Sequence, residues 1–292
     1  MKIILFSRAQ IAHTPEEIRQ LFDAIELFGF DYAVNEEFAP VVRQTAGIEL
    51  PPERVYGRHI GKQPAETVMV CYGGDGTLLE GVHRLCGAPV PVMGINAGHL
   101  GFLTSAPSAG LNLIFDDIAA GRITTEPRSL LRIEGDFDER PDSTLALNEF
   151  TVQRHGAGMI SVETYVDDQM VATYHGDGVI VSTPTGSTAY SLSAGGPVVV
   201  PTCRCLVISP LAPHNLTMRP VVVPDTSDVA LRVRTRRSAV TLSLDNTAYD
   251  VADDTEIRVS LSEKRIFLGQ AHNISFYDTL RDKMMWGVDI RD

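Results

Sequence analysis

Residues 67–77 read Thr67-Val68-Met69-Val70-Cys71-Tyr72-Gly73-Gly74-Asp75-Gly76-Thr77. Six residues rich in β-branched and apolar side chains run straight into three glycines and one carboxylate. A run of that length and composition is a buried strand, and the glycines mark its hand-over to a helix. Glycine permits positive φ and lets a ligand approach the main chain closely. The helix that follows, expected over Thr77–Leu85, offers free N–H groups and a positive dipole end, which suit phosphate. Asp75 does not suit phosphate, because two anions repel. A carboxylate there binds a metal, accepts a hydroxyl proton or holds a sugar, which points to phosphoryl transfer onto a hydroxyl. The plain alternative is a tight turn in which Asp75 only caps the helix.

Working outward, the first third of the chain alternates strand and helix. Lys2–Ser7 is a short apolar strand. Thr14-Pro15-Glu16-Glu17 opens a helix: Thr14 is the N-cap, Pro15 the first-turn residue, and Glu17 closes a capping box. Ile18, Leu21, Phe22 and Ile25 follow at helical spacing, and Gly29 ends the helix. Residues 31–34 form a second strand. Residues 35–65 contain Pro40, Pro51, Pro52 and Pro64 and are expected to be mostly loop. Strand 90–95 leads into a second glycine-rich turn, Gly94 to Phe102, and a helix follows over 111–120. Such alternation predicts a parallel sheet with ligands at the carboxyl ends of its strands.

From about residue 124 the pattern becomes a series of short strands: 130–134, 145–153, 160–166, 170–174, 179–182, 205–208, 221–223, 229–233, 240–244 and 257–261. Asp167-Asp168 marks a hairpin turn, and Thr188–Gly195 is a short helix or glycine-bounded loop. Residues 276–286 have a helical pattern. The expected architecture is a Rossmann-like α/β nucleotide domain (1–122), a β-rich, sandwich-like domain (123–266), and a C-terminal segment (267–292) whose helix packs back on the first domain. Arg232, Arg234 and Arg236 alternate with less polar residues; the expected reading is a solvated strand face rather than an anion site.

Composition narrows the function. The net charge of −12 argues against nucleic acid or an anionic membrane as partner. No apolar stretch approaches a membrane span, and the start lacks the apolar core and cleavage site of a signal peptide. None of the four cysteines (Cys71, Cys86, Cys203, Cys205) forms a C-x-x-C pair. Cys71 and Cys86 are expected to be small core residues, and Cys203-Arg204-Cys205 an inert pair, as in a reducing cytoplasm. Neither a true P-loop nor a G-x-G-x-x-G after the first strand is present.

A second polar, glycine-rich stretch runs from Gly176-Asp177-Gly178 through Thr183-Pro184-Thr185-Gly186-Ser187-Thr188-Ala189-Tyr190-Ser191-Leu192-Ser193-Ala194-Gly195-Gly196-Pro197. Its hydroxyls suit ribose, phosphate or adenine edges, and Tyr190 offers a stacking face. Leu147-Asn148-Glu149 ends an apolar run with an amide and a carboxylate, a pair able to grip two ribose hydroxyls or simply to form a strand-end turn.

Together these stretches resemble the NAD kinase family over most of the chain. Gly-Gly-Asp-Gly-Thr is shared with diacylglycerol-type lipid kinases and loosely with phosphofructokinases, whereas Thr183–Pro197 is specific to NAD kinases. The segments Gly94–Asn96, Leu100–Leu103, Pro213–Leu216 and Arg219-Pro220 also match. The resemblance implies transfer of the ATP γ-phosphoryl group to the 2′-hydroxyl of the adenosine ribose of NAD. It makes Asp75 the proton acceptor and places Gly74, Gly76 and Thr77 against the ATP phosphates. It assigns Asn148, Glu149, Asp177, Thr188, Ala189, Tyr190 and Ser193 to NAD. It further implies Mg²⁺ with the donor, no resident metal site, and a homodimer or homotetramer. Two positions depart from the pattern. Asp245-Asn246-Thr247 stands where the family often has Asp-Gly-Gln. His175 precedes Gly176-Asp177 where relatives vary, and it would help to bind phosphate if protonated. The rival readings are a lipid kinase and a non-catalytic NAD sensor.

Overall fold

The computed structural model describes residues 1–96, 101–104, 106–107, 110–135, 143–235, 239–270 and 275–287. In chain order the elements are β1 (Lys2–Phe6), α1 (Pro15–Leu27), β2 (Asp31–Asn35), α2 (Ala39–Ala46), β3 (Val55–Tyr56), β4 (Thr67–Tyr72), α3 (Asp75–Leu85), β5 (Val92–Asn96), β6 (Ala106–Pro107), α4 (Leu111–Ala119) and β7 (Thr124–Gly135). Then follow β8 (Leu145–Ala146), β9 (Glu149–Arg154), β10 (Ile160–Val166), β11 (Gln169–Gly176), β12 (Gly178–Ser182), α5 (Tyr190–Ser193), β13 (Cys205–Leu211), β14 (Val221–Pro224), β15 (Val229–Arg234), β16 (Ala239–Leu244), β17 (Thr247–Ala252), β18 (Glu256–Gln270) and α6 (Phe276–Met284). The chain divides into one unit of residues 1–127 with 266–292 and a second of residues 128–265.

The first unit is a parallel sheet in the order β3-β2-β1-β4-β5, with Leu268 of β18 pairing Val92 of β5. The order reverses between β1 and β4, which opens a crevice at their carboxyl ends, where open α/β sheets bind ligands. All six residues of β4 are buried, as its sequence predicts for a central strand. Helix α1 has the expected capping box, with Thr14 accepting from the Glu17 N–H and Glu17 from the Thr14 N–H. Its stripe of Ile18, Leu21, Phe22 and Ile25 enters the core, each side chain contributing roughly 1.5–3 kcal/mol.

The 35–65 stretch lies outside regular elements over rather more than half of its length, as expected, but it is not loop alone. It holds α2, a short 3₁₀ turn at Pro52–Arg54, and β3. Pro40 lies in the first turn of α2, where its missing N–H is no loss and its φ is already helical. Helix α3 starts two residues before the expected point. The C-terminal helix α6 belongs to the first unit, where the Phe276 and Phe102 rings lie tilted at 46° with centroids 6.3 Å apart.

The second unit is a sandwich. One antiparallel sheet runs β14-β13-β12-β9-β16-β17 and the other β11-β10-β15-β18, and side chains of both meet in one core that includes Phe150, Val181, Ile208, Val162 and Leu231. The Asp167-Asp168 hairpin is present, with both residues at positive φ (50° and 62°) as a two-residue turn of matching twist requires. Strand β17 was not expected from the pattern. The expected strand over 145–153 is broken at Leu147-Asn148, because the N–H groups of residues 147–149 turn to a side-chain carboxylate instead of a neighbouring strand.

The arginine strand is a solvated face. Arg232 pairs with Glu256 and Asp254, and Arg234 with Asp254; Arg236 lies outside the described residues. Cys71 is buried, but Cys86 is a half-exposed cap whose Sγ lies 3.2 Å from His59 Nδ1, so it is not a core residue. None of the described cysteines forms a disulfide. Among the described residues no helix is long and apolar enough to cross a membrane.

Candidate active site

In the first unit the site is built on the turn after β4. Helix α3 begins at Asp75 itself; Gly74 is the N-cap, and no side chain caps the helix. The capping role for Asp75 is therefore absent. Its carboxylate reaches instead to the turn after β5. Oδ2 accepts the Phe102 N–H (2.8 Å), and Oδ1 accepts the Leu103 N–H (3.2 Å), the Thr104 N–H (3.0 Å) and the Thr104 hydroxyl (3.1 Å). Gly101 makes this possible: a Cβ there would lie 1.8 Å from Asp75 Oδ1. A carboxylate has about four lone-pair sites. Among the described residues Oδ1 has three donors and Oδ2 one, which leaves an Oδ2 lone pair for an incoming proton.

The N–H groups of Gly74, Asp75 and Gly76 have no backbone acceptor among the described residues. With the N-terminus of α3 they form the donor set that phosphate oxygens require. Thr77 is buried, and its N–H is spent on the Gly74 carbonyl (2.9 Å). Residues 97–100, part of the second glycine-rich turn, lie outside the described residues.

In the second unit three segments knit together around Asn148 and Glu149. Asp245 accepts the N–H groups of Leu147 (2.8 Å), Asn148 (2.8 Å) and Glu149 (3.1 Å). Thr183 donates its N–H to the Asn148 carbonyl (2.9 Å) and its hydroxyl to the Leu147 carbonyl (2.6 Å). A Cβ on Gly186 would lie 2.1 Å from the Asn148 carbonyl oxygen, so only glycine allows this approach. Downstream, Thr188 and Ala189 are half-buried, and Tyr190 and Ser193 present themselves to solvent. The geometry thus brings Asn148, Glu149, Thr188, Ala189 and Tyr190 to one edge of the sandwich. Asp177 accepts from Arg154 Nε at 2.6 Å. His175 bonds Ser161 (2.7 Å) and lines a cavity of about 550 Å³ with Arg154, His155 and Arg234. Thr247, the position of the family's Gln, starts β17 paired with Leu244.

Glu149 has a perturbed environment. Glu149 is only 8 % exposed, and among the described residues its Oε2 has no hydrogen-bond partner. Burial pushes its carboxyl up to about 8, the Asp245 charge adds to this, and the Tyr190 N–H opposes it. A buried orphan oxygen beside exposed polar residues is where a ligand hydroxyl would bind. The linkage has a definite sign. The folded state favours protonated Glu149, so its stabilising contribution is full below the ordinary value near 4.5 and is lost as pH rises through about 8. Glu149→Gln should therefore flatten the fall in Tm between pH 5 and pH 9. Parallel melting profiles for the two proteins across that range would show that Glu149 is not the titrating group.

Two residues of this arrangement escaped the sequence reading. Asp245 was visible only as a neighbour of Thr247. Arg8, two residues beyond β1, ion-pairs with Glu80 at 2.9 Å and reaches Gly76. Neither stands in a motif whose spacing announces it.

Residues 42–123 match the ATP-NAD kinase N-terminal domain, and residues 147–268 match the ATP-NAD kinase C-terminal domain. The NAD kinase of Flavobacterium psychrophilum is 32 % identical over the whole of both chains. The chain belongs to the ATP-NAD kinase family. The NAD kinase of Porphyromonas gingivalis strain W83 is 39 % identical over 99 % of both chains. Among solved structures, yeast NADH kinase complexed with NADH superposes with a TM-score of 0.85, covering all of this chain and 89 % of that one at 24 % identity. An Archaeoglobus fulgidus NAD kinase in complex with ATP gives 0.72, covering 98 % of both chains at 24 % identity. These two likenesses establish the fold: an α/β domain followed by a β-rich one.

Proposed function

We propose that the protein is an NAD kinase, transferring the terminal phosphoryl group of ATP to the 2′-hydroxyl of the adenosine ribose of NAD to give NADP. One observation carries the reading: at a glycine turn that opens a helix, Asp75 is held by four donors, of which among the described residues only one is on Oδ2. A ribose hydroxyl is a poor nucleophile. Asp75 accepts its proton as the oxygen bonds to phosphorus, while the N–H groups of Gly74, Asp75 and Gly76 take up charge on the transferred group. Asn148, Glu149 and Asp177 hold NAD, with Thr188, Ala189, Tyr190 and Ser193; His175 stands two residues before Asp177.

Magnesium is the expected companion of the donor. Among the described residues no three His, Cys, Asp or Glu side chains gather to hold a cation. On this reading a magnesium ion enters on the triphosphate, as this cation commonly does. The homodimer or homotetramer expected from the family is part of this reading.

Incubation with ATP, Mg²⁺ and NAD, followed by coupled detection of NADP, tests the proposal. NADP should accumulate in proportion to enzyme. No product with ATP or with inorganic polyphosphate would overturn it. Phosphorylation of diacylglycerol instead would favour the lipid-kinase reading, and tight NAD binding without turnover the sensor.

A further inference from the structure

Arg8 leaves β1 beside the turn that starts α3. The Ser7 hydroxyl donates to the Tyr72 carbonyl at 2.7 Å, which ties the carboxyl ends of β1 and β4 and fixes where Arg8 emerges. Gly76 and Glu80 are four residues apart on α3, one above the other on the same face. Arg8 lies along that face. A Cβ on Gly76 would stand 3.2 Å from Arg8 Nη1, and Arg8 Nε stands 2.9 Å from Glu80 Oε2. The Nε contact is an ion pair off the N–H axis, since Nε makes no hydrogen bond.

Glu80 is itself anchored. Its Oε1 accepts from Arg84 Nη2 at 3.1 Å, and Arg84 also donates to Glu37 at 2.7 Å while its guanidinium lies 5.5 Å from the centre of the Phe6 ring. This leaves Oε2 fixed and facing Arg8. The Nη1 and Nη2 groups of Arg8 have no acceptor among the described residues, and the side chain is only partly exposed. Their N–H groups thus lie unspent next to the unspent N–H groups of Asp75 and Gly76. An ordinary surface ion pair aims its guanidinium fork at its carboxylate. Here Glu80 takes only the Nε edge and leaves the fork open toward the turn.

We propose that Arg8 binds the terminal phosphate of the nucleoside triphosphate donor and that Glu80 is the residue that positions it, an assignment that rests on the kinase reading above. A guanidinium fork matches two non-bridging phosphate oxygens, and its planar geometry adds orientation that a lysine lacks. A side chain on Gly76 would crowd the guanidinium, which would have to give by a few tenths of an ångström.

The test is steady-state kinetics of Arg8→Met, Arg8→Lys, Glu80→Gln and the Arg8→Met/Glu80→Gln double variant, with calorimetric ATP binding alongside. Losing one or two charge-assisted hydrogen bonds should lower kcat/KM for ATP about 10–100-fold in Arg8→Met, with KM for NAD unchanged. Arg8→Lys should recover part of this. Glu80→Gln should weaken ATP use alone, and should add nothing in the Arg8→Met background, since it acts only through Arg8. Wild-type ATP affinity in Arg8→Met, or a Glu80→Gln effect that persists without Arg8, would overturn the proposal. Calorimetry keeps the two readings apart: a wild-type protein that binds ATP through Arg8 but makes no NADP sinks the kinase reading and leaves the phosphate contact standing.

Discussion

Asp75→Asn should lower the turnover of NADP formation by about 10²–10⁴-fold, the usual worth of a positioned general base. The surrounding contacts sharpen what else this variant does. Asn keeps one carbonyl oxygen, which can replace Oδ1 and accept from Leu103, Thr104 and the Thr104 hydroxyl. Its amide nitrogen then faces the Phe102 N–H, donor against donor, at a contact now 2.8 Å long. One part-buried donor loses its acceptor, at about 1–3 kcal/mol. Asp75→Asn is therefore expected to be both inactive and less stable, with a lower Tm and an unchanged circular dichroism spectrum. The two effects separate by magnitude: loosening of one turn does not account for a loss of several orders in kcat at a temperature where the protein stays folded. A folded Asp75→Asn protein with near-normal kcat would remove Asp75 from the chemistry and leave it as the clamp of residues 102–104.

The contrast between Asp75 and its partners shows where sequence reading succeeds. Helix α1 is legible because all its determinants are local: cap, first-turn proline, capping box and stripe fall within thirteen residues. The β4–α3 turn is legible for the same reason, a buried run meeting three glycines. Helix α2 is not, because it buries only Val42 and Ala46 within its eight residues, too few to set a period, and its proline looks like a breaker until its position in the first turn is known. Strand β17 alternates half-exposed and exposed residues with one buried Val251, a weak pattern that pairing with β16 makes into a strand. The site follows the same rule. Asp75 and Glu149 are announced by their neighbours in sequence. The donors on Asp75 come from 27–29 residues away, Arg8 meets Glu80 only through the β1–β4 pairing, and Asp245 reaches its partners across 96–98 residues. What tertiary contact creates, local pattern does not carry.

Asp245 gives the second large expected effect. Its carboxylate holds three consecutive N–H groups, those of Leu147, Asn148 and Glu149, and all three residues are at most 8 % exposed. Asp245→Ala leaves those donors without their acceptor at the point where strand β8 breaks from β9. Each buried orphan costs about 1–3 kcal/mol, partly relieved where water enters. A loss of about 3–5 kcal/mol is expected, large against a typical domain stability of about 5–15 kcal/mol. The Asn148-Glu149 pair should also lose its fixed direction, so NAD should bind far more weakly while ATP, whose proposed contacts are at residues 74–76, should bind as before. The same change removes the charge that helps to raise Glu149, so the Glu149 carboxyl should ionise at lower pH in the variant. Asp245→Asn is the gentler control: it retains one acceptor oxygen and places an amide against one N–H, so its Tm should lie between the other two. Chemical denaturation with calorimetric NAD and ATP titrations reads all of these. If Asp245→Ala matched wild type in midpoint and in NAD affinity, the Leu147–Glu149 segment would be held by Thr183 and the Gly186 contact alone, and Asp245 would be no more than a turn residue leading into β17.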